Sequence, residues 1–199
     1  ARGKLSGYDE LSDKIKKIPG VVSAAPVVEG QVLLSANNIS RGAVARGMTS
    51  AAIQSKPLLK NGILSGSLKS FDQGSSVMIG RRMAERFGLR LGDKLTFIAP
   101  RGTATAFGTM PRMKAYTVAV IFEVGMSEYD SSFVFMPLKA AQTFFRQKAD
   151  VSHIEVSTEH ADKIDRVRSE IFTAVGPTLW IRDWREVNST FFTALKVER

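Results

Sequence analysis

The side chains with which this 199-residue sequence could do chemistry are few: His153 and His160, the carboxylates Glu123, Glu128 and Asp130, and no cysteine at all. The two histidines fall on a predicted strand and the turn after it, and a metal held there would lack completing ligands, so both read as structural or exposed. The three carboxylates sit together in the phrase EVGMSEYD. Paired carboxylates can act as acid and base, yet the same residue types build turns, and the turn is the preferred reading. The absence of cysteine removes a disulfide scaffold, a thiol nucleophile and any Cys-ligated metal. No G-x-S-x-G elbow, P-loop lysine or dinucleotide fingerprint is present. The pairs Gly62 and Gly66, and Gly102 and Gly108, read as loop glycines. The expectation is a non-enzyme without a cofactor or metal.

Charge is the stronger signal. The chain carries 28 Lys and Arg against 19 Asp and Glu, a net +9. Two windows without an acid hold that excess. Residues 30–71 carry Arg41, Arg46, Lys56, Lys60 and Lys69, and residues 94–122 carry Lys94, Arg101, Arg112 and Lys114. A localised positive field suits an acidic partner or an anionic surface, although charge also serves plain solubility. Neither window offers stacking aromatics or a recognition helix, so nucleic acid is not the expected partner. At 44% apolar residues the chain is globular, one domain or one domain with a smaller lobe. No apolar run is long enough to span a bilayer. The opening ARGKLSGYDE, without an initiator Met or signal peptide, reads as a cut piece of something longer.

The elements that position these residues follow from periodicity. Residues 8–18 predict a helix with Leu11, Ile15 and Ile18 on one face, ended by Pro19 and Gly20. Residues 21–35 and 39–48 predict strands joined across Ala36, Asn37 and Asn38. Residues 56–74 lack periodicity and read as a long loop with one short helix. Strands follow at 77–79, 94–99, 113–124, 133–136, 153–157 and 179–181. Helices follow at 80–87, closed by Gly88, at 137–147, at 161–175 with Ile164, Val167, Ile171 and Phe172 on one face, and from Asp183 with Glu186 placed for a capping box. The pattern is α+β: a mixed or antiparallel sheet with helices packed on it, a smaller lobe and a protruding hairpin arm.

The arm is the unusual segment. Residues 100–111, PRGTATAFGTMP, are small, polar and proline-bounded, and they separate two convincing strands. Hairpin loops usually run two to five residues, so a connection of this length reads as a projecting functional loop. Phe107 and Met110 on it suit a protein contact; the alternative is that both tuck back onto the body.

Taken in order, IPGVVSAAPVVEG, RGAVARGM and SSVMIGRRMAERFGLRLGDKLTF resemble the extracytoplasmic domain of bacterial permeases of the macrolide-exporter superfamily. Within it, three features resemble the lipoprotein-releasing permeases of the LolC, LolE and LolF family: the proline-bounded arm before KAYTVAVIFEVGMSEYD, the phrase FVFMPLKAAQTFF, and the ending DWREVNSTFFTALKVER.

That resemblance implies that residues 1–199 form a periplasmic domain between transmembrane helices 1 and 2 of an inner-membrane ABC permease, with a terminal helix over 183–199 leading to the membrane. It implies a partner permease subunit, a cytoplasmic ATPase, LolD, that hydrolyses ATP, a lipoprotein substrate and the soluble periplasmic carrier LolA. The arm maps to the family's hook, with Pro100, Ala106, Phe107, Gly108, Met110 and Pro111 as its residues and Phe107 and Met110 as the inserting side chains. Arg112 and Lys114 are the candidates for its basic pad. Phe191, Phe192 and Leu195 either line a membrane-proximal entrance for acyl chains or pack against a neighbouring helix. Ala106 stands where the LolC type carries a proline beside the apolar residue, and the ending FFTALKVE is as close to LolE, which leaves LolC, LolE and the merged LolF open. The rivals are a LolE-like lipoprotein-binding domain, a related exporter or mechanotransmission permease without a carrier, a membrane-surface module, and an enzyme whose site is not visible.

Overall fold

The computed structural model describes residues 4–100, 103–105 and 108–187. The chain opens with α1 (Tyr8–Lys16), β1 (Val21–Ala36), β2 (Ile39–Met48), α2 (Ser50–Gln54), α3 (Pro57–Asn61), β3 (Ile63–Gly66) and α4 (Leu68–Phe71). The middle holds β4 (Ser76–Gly80), α5 (Arg81–Phe87), β5 (Lys94–Ile98), β6 (Thr103–Thr105), β7 (Gly108–Met110) and β8 (Met113–Phe122). Then come α6 (Ser127–Ser132), β9 (Phe133–Pro137), α7 (Leu138–Phe145), β10 (His153–Thr158), α8 (Ile164–Val175) and α9 (Trp184–Val187). Contacts divide the chain into two compact units, Ala1–Tyr8 with Ala25–Glu155, and Asp9–Ala24 with Val156–Arg199.

The main sheet is mixed, as expected. Its strand order is β10-β1-β2-β9-β4-β8-β3, and β5 pairs with both β1 and β8. The path β1, β2, β9, β4, β8, β5 therefore returns to β1, a closed ring of six strands. β1 and β2 meet at Asn37 and Asn38, both with positive φ (48° and 61°), the backbone that a two-residue hairpin requires. The Asn37 side chain donates to the Phe87 carbonyl at 2.8 Å, so the hairpin also caps the last turn of α5. Gly88, in the left-handed region, ends that helix.

Alternation divides the apolar side chains between the two sheet faces. One face, with Leu34, Val77, Tyr116 and Val134, is covered by α5 and by α7 through Ala141 and Phe144. The other, with Val27, Met78, Phe122 and Phe135, is covered by Ala52 and Ile53 of α2, Leu59 of α3 and Phe71 of α4. α7 lies tight on the sheet because β2 offers a glycine: a Cβ on Gly47 would collide with the Ala141 Cβ.

Two expectations need correction. Residues 56–74 are not a long loop: α3, β3 and α4 occupy most of them, with α2 before. Helices of four or five residues are too short to show a period, which is why the sequence hid them. Residues 179–181 form no strand, and Trp180 there is 87% exposed. A short apolar run becomes a strand only where a ladder partner exists.

In the second unit, Ile15, Val167 and Ile171 are buried. Asp183 caps α9, accepting from the backbone N–H of Arg185 at 2.9 Å and of Glu186 at 3.2 Å. Arg185 bridges Asp183 and Asp165, and its hydrogen bond holds the Asp183 carboxyl down at about 2.

Candidate partner-binding site

The arm stands on β5 and β8. These strands pair antiparallel from Lys94↔Thr117 to Ile98↔Met113, and the Ala99 N–H adds one more rung to the Arg112 carbonyl at 2.8 Å. Pro100 and Pro111, both exposed, bound the segment beyond; neither has an N–H to donate. Past them the chain forms a second, separate ladder, Thr103↔Met110, Ala104↔Thr109 and Thr105↔Gly108. Residues 100–111 therefore carry a paired hairpin, set off from the main sheet. Met110 is 65% exposed on it. Ala106 and Phe107, between the paired ends Thr105 and Gly108, lie outside the described residues, as do Phe191, Phe192 and Leu195.

At the arm's foot the two pad candidates differ. Lys114 is exposed, with its Nζ 5.1 Å from the centre of the Tyr116 ring. Arg112 is half-buried, donates to the Phe144 carbonyl at the end of α7, and lies 5.9 Å over the Phe144 ring. Burial, and then the neighbouring Arg146, hold its guanidinium below the usual arginine range; it stays cationic at neutral pH. Neither residue pairs with an acid among the described residues. Both stand over the aromatic cluster of Phe97, Tyr116 and Phe144, whose ring centres are 4.8 to 6.2 Å apart. Arg146, in the left-handed region after α7, joins this basic corner and had no signal in the sequence.

On the opposite face of the same strands, register brings three apolar residues into one row. Leu33 pairs with Ile98, and Ile98 with Met113. Leu33 is 39% and Met113 59% exposed. The sequence hid this row because Leu33 lies in the run VLL, where an outward apolar residue looks like its buried neighbours Val32 and Leu34.

Two of the remaining chemical candidates have structural partners. Asp130 is buried and accepts from the N–H groups of Val124 and Gly125 at 2.9 and 3.1 Å, building the turn after β8. Glu123 pairs with Arg81 at 3.3 Å. His153 is half-exposed on β10 and His160 is exposed. The first basic window is partly spent inside. Arg46, 8% exposed, meets Glu155 at 2.6 Å and Glu29 at 3.4 Å, and Lys56 meets Glu155 at 2.8 Å. Burial pushes the Glu155 carboxyl up, but Arg46 and Lys56 outweigh it and hold it below the ordinary glutamate range.

Comparison with known proteins adds a family profile, two relatives and two similar folds. The sequence profile described as MacB-like periplasmic core domain matches residues 2–173. The lipoprotein-releasing system transmembrane protein LolC of Neisseria meningitidis serogroup B is 26% identical over 182 residues, covering 90% of this chain and 44% of that protein. LolC of Xylella fastidiosa (strain Temecula1) is 27% identical over 182 residues, covering 91% and 44%. The chain thus spans less than half the length of these relatives. In fold it is similar to the periplasmic region of MacB from Actinobacillus actinomycetemcomitans, with TM-score 0.60 and 11% identity over 94% of this chain and 82% of that one. It is also similar to the extracellular domain of the noncanonic ABC-type transporter YknZ from Gram-positive bacteria, with TM-score 0.56 and 19% identity over 82% and 78%.

Proposed function

The chain belongs to the MacB-like periplasmic core domain family, and from that membership we propose that it is the periplasmic domain of a lipoprotein-releasing permease, presenting its arm to the soluble carrier LolA. The observation that carries the reading is the hairpin of residues 103–110, paired on its own beyond Pro100 and Pro111 with Met110 turned to solvent. A carrier of acylated protein must hold a greasy cavity, and Phe107 and Met110 are the apolar side chains that this arm has to offer it. Two such side chains leaving water contribute about 3–6 kcal/mol before ordering costs, which suits micromolar docking and release. Lys114 and the Arg112 and Arg146 corner add steering toward an acidic rim. The same reading takes residues 183–199 toward the membrane in the parent protein, has Phe191, Phe192 and Leu195 either meet departing acyl chains or pack against a neighbouring helix, and assigns ATP hydrolysis to a separate subunit.

A second reading, a LolE-like domain that engages lipoprotein instead of the carrier, is favoured by Ala106 at the tip and by the commitment of Arg112 to the Phe144 carbonyl. Calorimetric titration with purified LolA separates the two. Micromolar binding by the wild type that weakens more than about tenfold in Phe107→Ala, at unchanged melting temperature, is the expected result. No binding by the wild type would move the assignment to the LolE-like reading.

A further inference from the structure

The arm accounts for the second acid-free window but not for the first. Of the five cations in residues 30–71, Arg46 and Lys56 are neutralised inside by Glu29 and Glu155. Lys60 on α3 and Lys69 on α4 are exposed, have no ion-pair partner among the described residues, and come together along one groove of about 540 Å3. Ile63 and Leu68 line the same groove, and Asp72 is its one acid. Outside that lining, Leu58 on α3 and Leu64 on β3, neighbours of its residues in the chain, are 63% and 54% exposed.

Leu64 is out of place by ordinary rules. β3 is the last strand in the order, and exposed sheet edges normally carry lysine or proline as a guard against unwanted pairing. Here the register slips between Ile63↔Phe122 and Ser65↔Ile121, leaving Leu64 as the extra residue of a bulge. A bulge swings its residue away from the ladder and spoils the edge for an added strand. What remains is a concave site with apolar flanks and two unpaired cations, open to side chains and closed to strand addition.

We propose that this groove docks an acidic, leucine-bearing segment of a partner protein, the carboxylates meeting Lys60 and Lys69 and the apolar side chains covering Leu58, Ile63 and Leu64. A protein segment fits better than an anionic bilayer for two reasons. Lipid surfaces are read by clusters of about four to eight basic residues, and the groove holds two. Asp72 in the lining would also oppose a continuous sheet of phosphates, whereas a peptide can place its charges to either side of it. The inference stands without the carrier-docking proposal, because it uses no residue of the arm.

The test titrates the isotope-labelled 199-residue chain with a short synthetic peptide of glutamate and leucine, beside its glutamine counterpart. Amide shifts should move within residues 50–72. Affinity should fall at least about tenfold in Lys60→Glu/Lys69→Glu and for the glutamine peptide. Leu58→Ser/Leu64→Ser, which keeps every charge, should also weaken binding. Shifts centred elsewhere, or an affinity that ignores the leucine pair, would mean diffuse attraction to a basic protein and overturn the proposal. Sedimentation with phosphatidylglycerol vesicles that requires Lys60 and Lys69, and that the peptide does not relieve, would replace it with a lipid surface.

Discussion

Tyr116 is fully buried, and its hydroxyl has no hydrogen-bond partner among the described residues. Burial pushes the phenol up to about 12, so the group is neutral, and what it loses is a water it cannot replace. An unsatisfied hydroxyl costs about 1–3 kcal/mol, while the ring does the packing against Phe97 and Phe144. Tyr116→Phe should therefore leave the melting temperature unchanged or raise it; a clear fall would mean that the hydroxyl has a partner. Glu155 behaves in the opposite way. Its folded carboxyl titrates below the unfolded value near 4.5, so the stability it contributes is present above that value and is lost as pH falls through the folded one. The gap in melting temperature between wild type and Glu155→Gln should be widest near neutral pH and close as the pH falls below the unfolded value near 4.5. A gap that does not change with pH would show that the carboxylate's charge is not what matters. At this scale the sequence was a partial guide. It marked Lys114 and Met110, but it could not show that Arg46 and Lys56 turn inward to meet an acid about a hundred positions later, since that partner exists only once β10 lies beside β1.

Elements were more legible where they were long. The alternation of β1, β2 and β8 and the helical faces of α1 and α8 were visible, although Phe172, placed on the α8 face, is 50% exposed, and so was the proline-bounded arm as a separate hairpin. The helices and strand between residues 50 and 71 were not, because a single turn has no period to read. Nor did any local signal announce how closely α7 lies on β2. That contact depends on Gly47, where a side chain would strike Ala141. Gly47→Ala should cost about 1–3 kcal/mol through forced separation of helix and strand, read as a lower midpoint in urea with little change in secondary structure by circular dichroism. A neutral result would mean that the helix shifts freely.

For the molecule as a whole, the composition gave the class and the charge, but not the way the six strands close on themselves. Such a ring leaves its members few ways to open singly. Amide exchange should be slowest in the six strands of the ring, each paired on both sides, and much faster in the edge strand β3 and in the isolated pair β6 and β7. Uniform protection across all strands would contradict the closed arrangement.

The ladder beneath the arm closes at Ala99 and Arg112 before the arm begins. The dozen residues above that last rung are thus an interchangeable part, held by the body but not needed to build it. A change in the length or sequence of that part would leave the last rung, and the packing beneath it, where they are.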